Sequence, residues 1–147
     1  MESDLGGPGV LTEEKCLARL AANQLGRVGV VMGGQPLVFP VNYVLDGRTI
    51  VFRTGAGTIL GGASFAMVAF EIDGSDPVRR SGWSVMVQGM GHDITDAADE
   101  LSQHLQTIEV FPWAPGSKPR LLRIDPRVIT GRLFNGPPAG DRPQPPA

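Results

Sequence analysis

Two tight turns between β-rich runs constrain the fold of this chain most. Gly33-Gly34 follows the run Arg27 to Met32, and Asp46-Gly47 joins the run Leu37 to Leu45 to the run Thr49 to Thr54. Gly-Gly and Asp-Gly pairs adopt the positive φ angles that two-residue hairpin loops require, and such loops connect antiparallel neighbours. The sequence therefore predicts a meander of three antiparallel strands.

Further strand patterns follow in the second half of the chain. Met67 to Ile72 is typical of a fourth strand, and Gly82 to Ile94 of a long fifth strand in which Gly89 and Gly91 permit a bend or bulge. The last strand is predicted in two pieces, Arg120 to Ile124 and Val128 to Leu133, interrupted by Asp125-Pro126.

Only two helices are predicted. The first is capped by Thr12 and stops at Gly26. The second is capped by Thr95 or Asp96 and extends to about Glu109. Because strands dominate and turn signals recur at short intervals, the pattern favours a mainly β fold, a small closed antiparallel barrel, over a parallel α/β sheet.

Composition limits the domain count and the classes of partner. A chain of 147 residues is typical of one domain with a single core. No apolar run approaches the ~20 residues of a membrane helix, and a net charge of −2 provides no basic surface for nucleic acid. The acidic start Met1-Glu2-Ser3-Asp4 lacks the apolar core of a secretory signal. We therefore expect a cytoplasmic protein that binds neither nucleic acid nor membrane.

The two ends of the chain differ from its middle. Residues 1 to 11 are predicted to be flexible. The tail from Gly136 holds five of the 13 prolines and has almost nothing to bury, so residues 135 to 147 are predicted to be disordered. The folded domain is expected between residues 12 and 134.

The single cysteine and the two histidines do not form a metal site. Cys16 has no partner for an internal disulfide and shares a helix face with Leu20, which favours a buried small residue over a reactive thiol. His104 is expected on the solvated face of the second helix, and His92 is isolated. No nucleophile-base arrangement or ligand cluster is present, so we expect no metal and assign no catalytic residue.

The strand Leu37 to Leu45 is apolar on both faces. Leu37, Phe39, Val41, Tyr43 and Leu45 alternate with Val38, Pro40, Asn42 and Val44. One face can line the interior of a barrel, but the other needs a second surface to cover it. In a chain this short a second subunit is a simple source, and the sequence therefore predicts a homodimer.

A candidate anion site follows the third strand. Arg53 and Thr54 precede the glycine-rich segment Gly55 to Leu60, and a guanidinium, a hydroxyl and exposed backbone amides can together hold a phosphate. The segment lacks the Gly-Lys-Ser/Thr ending of nucleotide hydrolases. Two alternatives stay open: Arg53 as a surface arginine at a strand end, and Gly55 to Ala63 as a flexible connector.

The order of five short motifs resembles the pyridoxamine 5′-phosphate oxidase-like FMN-binding superfamily over residues 12 to 134, in particular its small actinobacterial-type and nitroimidazole-resistance-like branch. The motifs are Leu25-Gly26-Arg27-Val28-Gly29, Pro40-Val41-Asn42-Tyr43, Phe52-Arg53-Thr54, Gly82-Trp83-Ser84-Val85 and Ile129-Thr130-Gly131-Arg132. The resemblance implies a six-stranded antiparallel split β-barrel with two flanking helices. It also implies a homodimer with two cofactor sites at the subunit interface.

The resemblance further implies which residues hold the cofactor. A first set would lie along the flavin ring, a second would meet the ribityl phosphate, and a third would approach the same cofactor, with Trp113 supplied by the other subunit. These sets are Pro40, Val41, Asn42 and Tyr43; Arg53, Thr54, Gly57 and Thr58; and Trp83, Ser84 and Trp113. Trp83 and Trp113 can alternatively be core or interface anchors.

The chain departs from the family pattern at Ile59, where relatives carry a lysine that contacts the phosphate. Losing one hydrogen bond to a charged group costs about 1.5–3 kcal/mol. The function that the resemblance implies is an FMN-dependent oxidoreductase acting on a small-molecule substrate of unknown identity. The flavin would carry the hydride, and Trp113 would act as a lid. Two alternatives are an F420-dependent reductase and a non-catalytic homodimer that binds or has lost its cofactor.

Overall fold

The computed structural model describes residues 9–137 and residue 146, and it consists of seven strands and three helices within that part. In chain order the elements are β1 (Val10–Leu11), α1 (Glu13–Ala21), β2 (Leu25–Met32), β3 (Gln35–Asp46), β4 (Thr49–Thr54), α2 (Thr58–Ala63), β5 (Ala66–Asp76), β6 (Ser81–Asp93), α3 (Glu100–Gln106) and β7 (Arg120–Asn135). Most of the two ends predicted to be flexible or disordered lies outside the described residues. Val10 and Leu11, in the first of these ends, pair with Arg132 and Gly131 of β7.

The strands form a closed antiparallel barrel. Their order is β1-β7-β4-β3-β2-β5-β6, and β6 pairs back onto β7. Six strands, β2 to β7, therefore make the wall, while β1 adds a short seventh strand beside β7. The mainly β class and the barrel are confirmed, with one more strand than the sequence predicted.

The two predicted hairpin turns close the meander. Met32 pairs with Gln35 around Gly33-Gly34, and Asp46 pairs with Thr49 around Gly47-Arg48, so the second loop lies one residue later than the predicted Asp46-Gly47. Gly33, Gly34 and Gly47 have φ angles of 57°, 79° and 63°. Side chains rarely adopt such angles, so glycine at these positions selects the hairpins.

The predicted interruption of the last strand is wrong, since β7 runs unbroken through Asp125-Pro126. Val128 pairs with Gln88 and Pro126 with Gly89, which leaves Arg127 as the extra residue of a bulge. A Cβ on Gly89 would overlap the backbone carbonyl of Asp125. The bulge spares Pro126, which has no N–H, from donating a ladder hydrogen bond. Gly89 on the facing strand leaves space for the bulged backbone at Asp125.

The helix limits differ from the predicted ones. Gly26 lies inside β2, and α1 stops five residues earlier at Ala21. Asp99, not Thr95 or Asp96, caps α3 by accepting a hydrogen bond from the Ser102 backbone N at 3.0 Å, and the helix ends at Gln106. The third helix, α2, was not predicted, because its sequence Thr-Ile-Leu-Gly-Gly-Ala is typical of a loop. None of the described helices is long and apolar enough to cross a bilayer.

The main core fills the barrel and extends under α1. Phe52, Phe70, Ile72, Val85 and Leu122 are among its fully buried side chains. Cys16 and Leu20 of α1 join this core, as predicted for Cys16, and burial raises the pKa of the Cys16 thiol. A second cluster packs α3 and its flanks against the outer wall. It comprises Val51, Ile94, Leu105, Val110 and Leu121.

Candidate functional site

Arg53 lies on the outer face of β4. Ile50 and Phe52 point into the barrel core, whereas Val51 belongs to the outer cluster beneath α3, and strand alternation places Arg53 on the face of Val51. Arg53 is half-buried, and in the described part of the chain it has no hydrogen-bond or ion-pair partner. A guanidinium in this position is available to an anion.

Asn42 is the neighbour of Arg53 across the sheet. Tyr43 pairs with Phe52, so the next step of the register brings Asn42 opposite Arg53. The Asn42 Oδ1 accepts a hydrogen bond from the Trp113 backbone N at 2.7 Å, and its Nδ2 donates to the Gln24 carbonyl oxygen at 3.3 Å. The structure thus brings three predicted site residues together at one end of the barrel: Arg53, Asn42 and Trp113.

The side chains of Pro40 to Tyr43, which were predicted to contact the flavin ring, alternate between the core and the outer face of β3. Val41 and Tyr43 are buried in the core. The Tyr43 hydroxyl donates to the Leu20 carbonyl oxygen at 2.7 Å, and burial raises its pKa to about 12. Pro40 and Asn42 face outward with Arg53. Only these two side chains of the four can therefore meet a ligand on the outer wall.

The glycine-rich segment after β4 turns directly into α2. Thr54 is buried at the end of its strand, while Gly57 and Thr58 are exposed where the helix begins. Ile59 is partly buried and packs against the main core. The position that carries a lysine in the resembling family is therefore used here for apolar packing.

Trp83 and Ser84 lie elsewhere on the barrel. The Trp83 ring packs against the core, with the Arg19 guanidinium 4.4 Å from its centroid, and Ser84 points to the outer face. Arg53 pairs with Leu121 of β7, whereas Trp83 pairs with Leu133, so the twelve residue steps from Leu121 to Leu133, roughly 40 Å along an extended strand, separate the two positions. Within one subunit, Trp83 and Ser84 do not meet Arg53.

Two clefts flank the Trp113 side chain, which is 66% exposed. The smaller, of about 200 Å³, lies beside Asn42 and Phe111. The larger, of about 410 Å³, is lined by Asn23, Gln24, Leu25, Arg27 and Asp73. Gln24 and Trp113 border both clefts. No local sequence pattern points to Asn23, Gln24 and Asp73, because the end of α1, β2 and β5 meet at this cleft only in the folded chain.

The histidines lie in two separate surface pairs. His104 Nε2 is 3.2 Å from Asp46 Oδ2, and His92 Nε2 is 3.3 Å from Asp125 Oδ2. Across residues 9–137, no three His, Cys, Asp or Glu side chains converge as metal ligands. The histidine pairs thus lie apart from the Arg53 site.

Two carboxylates share one arginine beside the larger cleft. Arg27 Nη1 lies 3.6 Å from Glu71 Oε1 and 3.5 Å from Asp73 Oδ2. Burial, followed by the neighbouring Asp73, raises the pKa of Glu71 to about 7 against the opposing effect of Arg27. Glu71 therefore gains its charge near neutral pH.

We expect Glu71→Gln to change how the free energy of unfolding depends on pH. A folded-state pKa raised from 4.5 to about 7 means that ionisation of Glu71 opposes folding, so stability is lost as pH rises through this window. The variant escapes that loss. After allowance for the solvent-exposed part of the side chain, the variant should gain about 1 kcal/mol relative to the parent between pH 5 and pH 8.

Urea unfolding of both proteins at the two pH values measures this difference. Subtracting the free energy of unfolding of the parent from that of the variant cancels the contributions of other groups that titrate over the same range. A difference that stays constant with pH would contradict a raised pKa at Glu71.

Comparison with known proteins places this barrel in a family. The model of the pyridoxamine 5′-phosphate oxidase family matches residues 12–133. The uncharacterized protein Rv3129 of Mycobacterium tuberculosis is 35% identical over 102 residues, which cover 69% of this chain and 89% of that protein. The likeness extends over most of both chains.

Solved structures agree with the family match. The FAD binding protein of Mycobacterium smegmatis is 33% identical with a TM-score of 0.71, covering 86% of this chain and 99% of that one. DIP1874 of Corynebacterium diphtheriae, a conserved protein of unknown function, is 32% identical with a TM-score of 0.69, covering 85% and 96% of the two chains. As the order of its motifs predicted, the chain belongs to the pyridoxamine 5′-phosphate oxidase family.

Proposed function

We propose that this chain is the subunit of a homodimeric, flavin-dependent oxidoreductase that acts on a small molecule. The observation that carries the proposal is Arg53, a half-buried cation without a partner in the described chain, next to Asn42 and the start of α2. Family membership and a 33% identical relative described as an FAD binding protein support the flavin class. We also propose the cytoplasm as its location, where the free Cys16 stays reduced.

Arg53 and Thr54 would hold the phosphate of the flavin, with Gly57 and Thr58 at its edge. Asn42 and Pro40 would border the ring. The flavin itself supplies hydride transfer when bound. The chain's own contribution is to bind the phosphate through a charge-assisted hydrogen bond, orient the ring and exclude water around Trp113.

Absorbance of the purified protein and titration with FMN, FAD and F420 test the proposal. We expect FMN to bind at micromolar or lower concentration, with F420 as the alternative. Fluorescence quenching measures each affinity separately. No binding of any of the three cofactors at micromolar concentration would overturn the oxidoreductase proposal.

We expect Ile59→Lys to tighten FMN binding about tenfold. A lysine stem can cover the apolar surface that Ile59 now covers, while its ammonium reaches outward to the phosphate. A charge-assisted hydrogen bond is worth about 1.5–3 kcal/mol. Ile59→Met, which is unbranched but uncharged, is the matched control. Equal FMN affinity in both variants would show that position 59 does not face the phosphate.

The proposed dimer uses an apolar outer face of the barrel. Val31, Val38 and Met67 are 60%, 64% and 46% exposed, and they line a common groove of about 310 Å³ with Gln88. Isolated apolar residues are common on surfaces, but a contiguous patch across three strands marks an interface. We propose a second copy of this chain as the partner, because a twofold dimer covers the same patch on both subunits.

We expect Val38→Asp to convert the dimer to a monomer. The substitution would place a carboxylate on each side of an apolar interface, and unpaired buried charges there cost several kcal/mol. Light scattering measures the mass, and circular dichroism checks folding. Val78→Asp, at an 80% exposed position outside the patch, is the control and should remain dimeric. A dimeric Val38→Asp protein would contradict this interface.

A second candidate function is a non-catalytic homodimer that stores a cofactor or binds another small molecule. Ile59 favours it, since it packs on the core where a phosphate-binding lysine is expected from the family resemblance. A turnover assay distinguishes the oxidoreductase from the storage protein. A protein that binds flavin but does not pass electrons between a reductant and any acceptor supports storage.

A further inference from the structure

A cleft of about 390 Å³ lies between α1, the β5–β6 hairpin and the end of β7. The side chains that border it and bear on binding are Arg19, Ser75, Ser81, Trp83, Phe134 and Asn135. We propose that this cleft binds a small aromatic carboxylate, with Arg19 as the cation and Phe134 as the stacking surface. The site is independent of the proposed flavin function.

Arg19 provides a positive charge that is held in one position. Its guanidinium lies 4.4 Å from the centroid of the Trp83 ring. The ring itself packs against Gly74, where an added Cβ would lie 2.6 Å from Trp83 Nε1, so the indole has little room to move. A guanidinium stacked on a fixed indole loses less conformational entropy when it binds an anion.

The charge of Arg19 is not neutralised by the described residues. Within residues 9–137 no carboxylate forms an ion pair with it. The acidic residue of the cleft, Asp76, accepts hydrogen bonds from the Val78 and Arg79 backbone N atoms at 3.1 and 3.2 Å. Asp76 Oδ2 also lies 3.8 Å from Arg79 Nε, so its charge is compensated inside its own turn. The cleft is therefore positive at Arg19, which suits an anion.

Phe134 offers an aromatic surface beside this charge. Its ring lies over Gly82, the residue opposite it in the β6–β7 ladder, where an added Cβ would lie 2.4 Å from Phe134 Cζ. Phe134 is nevertheless 54% exposed. The ring thus rests on the sheet while its remaining surface borders the cleft, and an aromatic ligand can stack there.

Three polar side chains complete the cleft. Ser75, Ser81 and Asn135 make no side-chain hydrogen bond within the described part of the chain. Their hydroxyl and amide groups can donate to a carboxylate oxygen that Arg19 leaves unsatisfied. An aromatic carboxylate uses the guanidinium, the aromatic surface and these donors together, whereas an inorganic anion would leave the surface of Phe134 unused.

This cleft is separate from the phosphate site at Arg53. Arg53 pairs with Leu121 of β7, and Trp83 pairs with Leu133 near the far end of the same strand. One small anion cannot touch both arginines within a subunit. The two sites can therefore be occupied at the same time.

Isothermal titration calorimetry of the full chain with 2-naphthoate tests the site. We expect a dissociation constant of about 100 µM or tighter, in line with a ligand of this size. The uncharged analogue 2-naphthylmethanol should bind about tenfold more weakly, because it cannot pair with Arg19. Arg19→Met keeps an unbranched stem over Trp83 without the charge and should weaken naphthoate binding about tenfold. Phe134→Ala should weaken it about fivefold.

The controls separate this cleft from the flavin site. Arg53→Ala and saturating FMN should each leave the naphthoate affinity unchanged, as should Arg48→Ala at an exposed arginine outside the cleft. Weaker naphthoate binding in Arg53→Ala or with FMN would assign the carboxylate to the flavin site and overturn the inference. Equal affinities of the parent and Arg19→Met, or of naphthoate and naphthylmethanol, would show that Arg19 holds no carboxylate. Absence of naphthoate binding to the parent would overturn the site altogether.

Discussion

Replacing Arg53 with alanine is expected to weaken flavin binding ten- to a hundredfold. Arg53 is the cation next to Asn42 on the outer wall, and the described chain provides it with no carboxylate partner. A hydrogen bond to a charged group contributes about 1.5–3 kcal/mol, which is the basis of the expected range. Because the side chain has no partner to lose, the folded state should keep its stability.

Three measurements separate a binding role from a structural one. Titration should show the loss of FMN or FAD affinity, while urea unfolding without flavin should show a change below about 0.5 kcal/mol. Arg53→Lys keeps the charge and should restore part of the affinity, since an ammonium binds phosphate without the bidentate geometry of a guanidinium. The control is Arg48→Ala, which removes an exposed arginine of the β3–β4 turn that pairs with Glu13 of α1 at 3.0 Å. This variant should bind flavin normally. Normal binding by Arg53→Ala would rule out this phosphate site.

Phe70→Ala is expected to lower the free energy of unfolding by about 3–5 kcal/mol, the range for large aromatic truncations in cores. Phe70 is fully buried at the centre of the barrel. Its ring meets Tyr43 edge-on, with centroids 4.9 Å apart and an interplanar angle of 73°. It also occupies the space that a side chain at Gly26 would need. Few atoms can move into the space that alanine leaves, because α1 and the strand walls surround it.

A loss of this size approaches the whole stability of a small domain, so the variant should be partly unfolded at 37 °C. Phe70→Leu, which keeps most of the volume, should lose much less. Phe134→Ala, which truncates an exposed ring, should stay within about 1 kcal/mol of the parent. Denaturant unfolding measures all three. An equal loss for Phe70→Ala and Phe134→Ala would contradict the described core.

The parts of the fold that local chemistry decides could be predicted from the sequence. Gly33-Gly34 and Gly47 select two hairpins whatever surrounds them, and the β-rich runs beside them supply the strands. The missed features depend on distant partners. Pro126 is tolerated inside β7 only because Gly89 faces it, and α2 forms where Gly62 lets the helix approach Val30 closely.

The candidate site likewise has one part that the sequence indicates and another that depends on contacts between distant segments. The motif order indicated Arg53 and Asn42, and the structure brings them together through the register of β3 and β4. It could not indicate that Tyr43 turns inward to bond the Leu20 carbonyl, since neither face of that strand is polar. The Asn23–Gln24 cleft arises from three elements that meet only in the folded chain.

The pairing of β7 with both β4 and β6 has a consequence for biosynthesis. Of the strands described in residues 9–137, the one that completes the wall is the last to leave the ribosome, and it must find partners made much earlier, including Thr49–Thr54. Until then β4 and β6 expose unpaired edges, which can recruit strands from neighbouring nascent chains. A barrel closed by its final strand folds late and through contacts distant in sequence, so folding should be slow for a chain of this size. The same closure leaves few edges once folding is complete, and the finished molecule is thereby better protected from aggregation than any of its incomplete precursors.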